Sequence, residues 1–204
     1  MIKELAMKIN DNIIKFKCEE KLEGFTESFI RLLEDQDKEF NIIKDDYTIQ
    51  IGWSFYFIER EGDSYRIKTC DYNKNPFEDK TDDLSISLYI QNKQSRLLRE
   101  INEQGCPVTF QDTLVVLKDA LESKEVYMHR SREPEGKDSG WYLGLINDTK
   151  EKYSVNDYKS IYTYELLKYN PVLLEVLFIE VGDMALINGS DIIEIIDRDN
   201  NKIY

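Results

Sequence analysis

Hydrophobic positions in the first half of the chain follow first a helical period and then a strand period. Four of them recur at helical spacing among charged residues and predict an amphipathic surface helix: Phe25, Phe29, Leu32 and Leu33. From residue 47 to residue 57 every second side chain is apolar, which predicts one strand with a buried face. Residues 61–64 predict a turn and residues 65–69 a second strand, so we expect a β-hairpin over residues 47–70.

The period changes again before the middle of the chain. Residues 84–90 alternate strictly and predict a strand, after which residues 97–101 show helical spacing and Gly105 provides a stop. The Gly105-Cys106-Pro107 break is the one boundary signal along the chain. We therefore expect two closely joined halves, an N-terminal α+β region over residues 1–105 and a second α+β region over residues 106–204.

Short strands dominate the second half. Apolar residues predict strands in three segments, residues 114–117, 126–129 and 141–145. A polar loop over residues 131–138 separates the last two. Residues 161–178 predict a helix that is interrupted at Asn170, because Pro171 disfavours helical geometry in the residue before it.

The end of the chain predicts a β-hairpin. Residues 184–187 and 192–196 flank Asn188-Gly189-Ser190, and an Asn-Gly pair adopts the positive φ angles that tight hairpins require. Taken together, the elements predict the α+β class, with a mainly antiparallel β-sheet and a few packed helices.

Composition excludes several classes of protein. The chain has 204 residues, a 41% hydrophobic content and a formal net charge of −13, from 40 acidic and 27 basic residues. It is too apolar to be disordered, and its charge repels phosphate backbones and anionic lipids. The sequence therefore predicts no nucleic-acid partner and no membrane partner. Its acidity favours fast encounter with a basic protein.

The cysteines and the N-terminus indicate a reducing compartment. Cys18, Cys70 and Cys106 lack the paired spacing of a zinc site or a redox motif, which predicts reduced thiols in or near the core. The first twenty residues contain charges throughout and no apolar signal region, and no apolar stretch approaches the length of a membrane span. We expect a cytoplasmic protein.

Motifs for catalysis or cofactor binding give no positive signal. His129, Asp138 and Ser139 supply the residue types of a nucleophilic triad, but no nucleophile elbow surrounds the serine. Residues 71–82 begin like a calcium loop, yet Pro76 replaces the required glycine and the twelfth position is aspartate. The sequence thus predicts no catalytic residue, no metal site and no cofactor.

The segment from residue 126 to residue 146 places a charged loop beside a Gly-Trp-Tyr step. In one interpretation Trp141 anchors a hairpin in the core while Asp138 and Ser139 hold the turn. In the other, arginines at positions 130 and 132 surround an aromatic anchor, as at the hot spots of protein interfaces. Both interpretations are open at this point.

Three ordered segments resemble a known family: Asp138-Ser139-Gly140-Trp141 after a charged loop, Leu166-Leu167-Lys168-Tyr169-Asn170-Pro171, and Val181-Gly182-Asp183-Met184-Ala185. Over residues 108–197 the chain is similar to immunity-protein family thirty-three of bacterial polymorphic toxin systems. The resemblance implies a small cytoplasmic antidote that binds a cognate toxin domain and blocks its action. Many shorter members lack so long an N-terminal half and carry proline where this chain has Glu180.

Three functional hypotheses follow. The first is a non-catalytic immunity protein, with six candidate contact residues: Asp138, Trp141 and Tyr142 in the second half and Asp79, Asp82 and Asp83 in the first. The second is a small-ligand-binding or regulatory domain with a pocket formed by Arg130, Trp141 and Tyr142. The third is a hydrolase that uses His129 and Ser139. The resemblance favours the first.

Overall fold

The structure is a computed structural model that describes residues 1–148, 150 and 152–204. Its contacts divide the chain into two units, Met1–Asn92 and Lys93–Tyr204. Each unit contains its own six-stranded sheet, and the strands together with a few helices confirm the predicted α+β class. The division into two closely joined halves over residues 1–105 and 106–204 stays a prediction.

The first unit has six strands, β1 Ile2–Ile9, β2 Asn12–Glu19, β3 Tyr47–Ile51, β4 Ser54–Glu61, β5 Ser64–Cys70 and β6 Lys80–Thr81. The main order is β1-β2-β5-β4-β3, and β6 pairs with β5. All neighbours are antiparallel except β2 and β5, which run parallel.

Helix α1, Glu23–Phe40, covers one face of this sheet and confirms the predicted amphipathic helix. Phe29 lies against Phe16 at a ring-centroid distance of 6.1 Å and against Tyr56 at 4.8 Å. Leu33 is fully buried in the same cluster, whereas Phe25 remains 38% exposed. The buried stripe of the helix is therefore narrower than its apolar sequence pattern.

The single strand predicted over residues 47–57 is wrong, because the chain turns back at Gly52-Trp53 and forms β3 and β4. Gly52 adopts φ 60°, which permits a two-residue turn, and Ile51 pairs with Ser54 across it. A two-residue turn leaves the spacing of apolar residues even. The alternation therefore runs through the turn without a break and conceals it.

The strand predicted over residues 84–90 is also wrong, because helix α2, Ser85–Ile101, begins there. Asp83 acts as its cap and accepts hydrogen bonds from both the backbone N–H and the hydroxyl of Ser85. Leu84 and Leu88 are buried, and their spacing fits one face of a helix as well as one face of a strand. The cap decides between the two.

Strands β1 and β2 form a hairpin that the sequence interpretation missed. Their signal is alternation of Leu5, Met7 and Ile9 before Asn10-Asp11, where Asn10 adopts φ 51°. Of the three cysteines, all of them free, Cys18 on β2 and Cys70 are buried and Cys106 is half-buried, as predicted.

The second unit also has six strands, β7 Thr113–Leu117, β8 Glu125–Arg130, β9 Asp138–Leu145, β10 Tyr158–Tyr162, β11 Met184–Asn188 and β12 Asp191–Ile196. Their order is β10-β7-β9-β8-β11-β12, with β7 and β9 parallel and all other neighbours antiparallel. The strands predicted over residues 114–117, 126–129 and 141–145 and the final hairpin are confirmed.

The interrupted helix predicted over residues 161–178 is wrong in part. Its first two residues end β10, and a 3-10 segment, Thr163–Lys168, follows. The Thr163 hydroxyl donates to the carbonyl of Thr109, so tertiary contacts hold this segment away from regular helix. The break at Pro171 is confirmed, since the short helix α3, Val172–Glu175, starts directly after it. Among the described residues, no helix combines the length and apolar character that a membrane crossing requires.

The packing of α1 predicts unequal effects of its two phenylalanines. Phe29→Ala should lower the free energy of unfolding by ~3–5 kcal/mol, because it opens a cavity among buried rings. Phe25→Ala is the matched control on the exposed side and should cost less than about 1 kcal/mol. Urea denaturation followed by circular dichroism measures both, and equal losses would contradict the described orientation of the helix.

Candidate functional site

The hairpin of β8 and β9 positions the residues that the sequence singled out. In its register Arg130 pairs with Trp141 and His129 pairs with Tyr142. Because successive side chains of a strand point to opposite faces, Arg130 and Trp141 share one face and His129 and Tyr142 the other. We call these the inner face and the outer face of the sheet.

On the inner face Trp141 is a core residue. Its side chain is 1% exposed, and its indole N–H donates to the carbonyl of Leu177 at 3.0 Å. The segment after α3 therefore packs on the inner face and is fixed there by the indole. Its role in partner binding, which the sequence suggested, stays a prediction.

Arg130 is a fully buried cation beside Trp141, with the centre of its guanidinium 5.9 Å from the indole ring. It donates to the carbonyl oxygens of Cys106 at 2.7 Å and Ile179 at 3.1 Å. Burial lowers the pKa of Arg130 from its ordinary value, since the charge is removed from water. Arg130 thus ties two loops to the sheet and does not present its charge to a ligand.

Asp138 holds the turn that leads into β9. Its carboxylate accepts a hydrogen bond from the Gly140 N–H at 2.8 Å and pairs with Arg132. Gly140 has φ 77°, and the register of β9 against β7 shifts at this point, which marks a bulge. Ser139 is buried and its hydroxyl donates to the carbonyl of Thr113. The carboxylate and the hydroxyl both stabilise the local backbone.

Tyr142 lies on the outer face within a chain of four tyrosine rings. The ring centroids are 5.7 Å apart between Tyr127 and Tyr142, 6.2 Å between Tyr142 and Tyr158, and 5.8 Å between Tyr158 and Tyr153. All four side chains are half-buried. We call these four residues the tyrosine cluster.

Gly144 explains how the rings lie so close to the sheet. A Cβ atom at this position would approach the rings of Tyr127 and Tyr142 to 2.7 Å, so the two rings lie over bare backbone. A cross-strand row continues the outer face from β7 to β12 through partnered residues: Val115, Tyr142, His129, Met184 and Ile196. The outer face is thus a broad apolar and aromatic surface with a histidine at its centre.

Three tyrosines of the cluster, Tyr127, Tyr142 and Tyr153, resist ionisation. Burial raises the pKa of Tyr127 and of Tyr142, and the hydrogen bond to Asp148 raises the pKa of Tyr153 to about 12. These three rings therefore keep their hydroxyl protons at neutral pH and offer polar but uncharged edges.

The predicted contact acids of the first unit lie next to α2 and β6. The Asp82 carboxylate pairs with Lys17 and Arg66, each at 2.9 Å. Burial opposes ionisation of Asp82, but these two cations outweigh it and lower its pKa. Asp83 caps α2, and the Asp79 carboxylate accepts a hydrogen bond from the backbone of Asn75. Their proposed contact with a partner stays a prediction.

The loop that begins like a calcium site is held by its own residues. The Asp71 carboxylate accepts a hydrogen bond from the Asn73 N–H and pairs with Lys74 at 3.3 Å. Throughout the described part of the chain, no three acidic, histidine or cysteine side chains converge in a way that could hold a metal ion.

A carboxyl pair, Glu103 and Asp183, lies in the second unit. Burial and the neighbouring Asp183 raise the pKa of Glu103 to about 7, and burial raises the pKa of Asp183 as well. Glu103 accepts a hydrogen bond from the backbone N–H of Glu180, whose own carboxylate pairs with Arg198. Both shifts favour the protonated form of a half-buried glutamate beside a buried aspartate, so the pair holds a proton at higher pH than two free carboxyls do.

The geometry bears on the two other hypotheses. The ligand-pocket hypothesis requires Arg130, Trp141 and Tyr142 to line one cavity. Arg130 and Trp141 lie on the inner face of the sheet, however, and Tyr142 lies on the outer face. The hydrolase hypothesis requires the Ser139 hydroxyl to lie near His129. The Ser139 hydroxyl instead donates to the backbone carbonyl of Thr113, and His129 lies opposite Tyr142 on the outer face. Neither set of residues is brought together around a common opening.

Sequence reasoning found one member of the tyrosine cluster and missed three. Tyr127 and Tyr142 could have been linked from the predicted hairpin, because both lie on strands whose residues alternate. Tyr153 and Tyr158 join them only through the pairing of β10 with β7 and of β7 with β9. That pairing carries no signal in the local pattern.

Comparisons with known proteins bear on the second unit. A family model described as the Imm33-like domain matches residues 93–198, which agrees with the resemblance seen in the sequence. The match begins at the residue where the second unit begins. Comparison with curated proteins and with solved structures gave no match.

The bulge at Gly140 yields a prediction on stability. Gly140→Ala should lower the free energy of unfolding by more than about 2 kcal/mol, because the residue has positive φ and a Cβ would collide with the carbonyl oxygen of Arg132. Gly136 has φ 62° in the same hairpin but open space around it, so Gly136→Ala should cost only about 1 kcal/mol. Urea denaturation of both variants measures the difference, and equal costs would contradict the described bulge.

The carboxyl pair predicts a stability that falls as pH rises. The folded state binds a proton on Glu103 up to about pH 7, whereas the unfolded chain releases it near the ordinary value of 4.5. Between these two values the folded state binds more protons, so the free energy of unfolding should drop by about 1–3 kcal/mol from this group.

Glu103→Gln removes that proton and keeps the bond to the Glu180 backbone, so it should flatten the decline between pH 5 and pH 8. Glu135→Gln, at an exposed glutamate of the same unit, is the matched control for net charge and should decline as the wild type does. Denaturant midpoints across this pH range measure all three proteins. A wild-type curve without a decline would refute the assignment.

Proposed function

This chain belongs to the Imm33-like family, and from that premise we propose that it is an immunity protein that binds one cognate toxin domain and neutralises it without catalysis. The observation that carries the proposal is the family match over residues 93–198, which covers nearly all of the second unit. The proposal keeps the cytoplasmic location that the sequence predicted.

Charge supports a binding role. Residues 93–204 contain 20 acidic and 14 basic side chains, so the unit carries a net charge of −6. Such a field speeds the encounter with a basic partner surface and slows the approach of nucleic acid. An inhibitor of this kind needs no turnover, because it works by covering the partner.

The internal use of the polar candidates supports a non-catalytic mechanism. The buried Ser139 hydroxyl, the Asp138 carboxylate and the Arg130 guanidinium are each bonded to backbone groups. We assign Asp138 and Tyr142 to the partner-binding side of the hairpin and Trp141 to its support from the core. Asp79, Asp82 and Asp83 of the first unit add negative charge that attracts a basic partner.

Co-expression tests the proposal directly. The toxin domain encoded beside the gene should stop growth when expressed alone, and this chain should restore growth and form a complex that survives gel filtration. An acidic protein of similar size and charge from another family is the control for non-specific attraction, and it should not restore growth. Continued arrest of growth with both partners present would refute the proposal.

Titration with purified proteins tests the absence of catalysis. Loss of toxin activity should be complete at about one molecule of this chain per toxin, and denaturation of the complex should release toxin of unchanged mass. Complete inactivation at a small fraction of that ratio, or a changed mass, would show that the chain acts as an enzyme.

A further inference from the structure

We propose that the tyrosine cluster is the docking surface for a basic segment of the partner protein, with arginine or lysine side chains laid on the tyrosine rings. The inference rests on the proposed function, because it names the surface and the partner chemistry through which an immunity protein would act. Four observations on the outer face lead to it.

The first observation is continuity. The four rings follow one another at centroid distances of 5.7 to 6.2 Å, across β8, β9, β10 and the segment before β10. Interfaces concentrate their binding energy in such clusters of aromatic residues at the centre of a patch. The rest of the outer face adds His129, Met184 and Ile196, and methionine is also enriched at interfaces.

The second observation is preorganisation. Gly144 lets the rings of Tyr127 and Tyr142 lie close to the backbone, so their positions are fixed before a partner arrives. Binding to side chains that are already ordered loses less conformational entropy than binding to mobile ones. The cluster therefore offers a large contact area at low entropic cost.

The third observation is that the cluster already holds a cation. The Lys150 ammonium group lies 4.5 Å from the ring centroid of Tyr153 and pairs with Asp157 at 3.0 Å. A tyrosine face attracts a cation through the negative potential of the ring. One end of the cluster thus displays, within the chain itself, the contact that we propose for the partner.

The fourth observation is the charge at the margins. The Asp148 carboxylate forms a hydrogen bond with the Tyr153 hydroxyl. Glu194 lies opposite Leu186 in the strand register, on the outer face, and Glu125 is exposed at the start of β8. These carboxylates lie at the margins of the aromatic surface in a unit of net charge −6, and Glu194 is paired there with Lys202. The overall field of the unit therefore favours a cationic partner. Arginine and lysine side chains match both parts, because their stems are apolar and their ends are cationic.

Charge substitution at Ser160 tests the inference on the complex with the neighbour-encoded toxin. Ser160 is exposed on β10 and pairs with Val115, the residue that partners Tyr142, so it lies at the edge of the outer face. Ser160→Arg should raise the Kd at least about tenfold by repelling a basic segment. Ser160→Glu, of similar bulk and opposite charge, should bind as tightly as the wild type or more tightly.

Two controls locate the effect. Ser190→Arg adds the same charge in the exposed turn between β11 and β12 and should leave the Kd within about twofold of the wild type. Ser131→Arg adds a positive charge beside the Asp138 turn. If this variant weakened binding and Ser160→Arg did not, the contact with the partner would lie at that turn and the tyrosine cluster would be excluded. Thermal unfolding of every variant separates lost binding from lost structure.

Each outcome decides the inference. A wild-type complex that both Ser160 variants leave unchanged would overturn the docking surface and keep the proposed function. If Ser160→Arg and Ser160→Glu weakened binding equally, the inference that the partner segment is basic would be overturned. A wild-type chain that fails to bind the toxin would overturn the proposed function itself.

Discussion

Side-chain alternation along β9 is the constraint on which the second unit depends. Because neighbouring residues of a strand point to opposite faces, Trp141 enters the core when Tyr142 faces outward. The bulge at Gly140 sets this phase: a shift of one residue would move the indole to the outer face and leave Leu177 without its donor. The turn held by Asp138 therefore acts far beyond its own loop. It decides which side of the sheet becomes core and which side stays available to a partner.

Buried charged and titratable side chains are the second feature of this unit. Hydrogen bonds from one guanidinium nitrogen of Arg130 to two backbone carbonyls, and contact with the Trp141 ring, offset part of its cost of burial, whereas its Nε and Nη2 atoms are buried without a partner. Burial raises the pKa of Glu103 and of Asp183, which favours the protonated form over a charged carboxylate. Removal of a bonding partner from such a group costs more than the bond contributes, which makes these sites sensitive to substitution. The acidic surface, by contrast, can vary with little effect on the fold.

Local sequence determined the elements of this protein better than their pairing. Alternation and turn residues were enough for α1, for the β8, β9 and final hairpin strands, and for the α+β class. They failed where one pattern fits two structures: a two-residue turn at Gly52 preserves even spacing, and residues 84–90 fit a strand until the Asp83 cap is considered. Trp141 and Tyr142 were named together as contacts, although alternation alone separates their faces. Tyr153 and Tyr158 join the tyrosine cluster through a strand order that no local signal encodes. The Glu103–Asp183 pair joins residues that are distant in the sequence and lie outside the strands.

The tyrosine cluster has a structural role that does not compete with docking. Tyr127 and Tyr142 cover the bare backbone at Gly144, and aromatic side chains that cover a strand glycine stabilise a sheet. Two rings are enough to cover the backbone at Gly144. The ring contacts nevertheless continue to Tyr158 and Tyr153, which are not among the nearest side chains at Gly144. The two outer rings instead extend the aromatic surface toward Asp148 and toward the ion pair of Asp157 with Lys150. The rings over Gly144 cover its backbone, and the rings beyond it enlarge the surface at which we propose that a cationic segment docks.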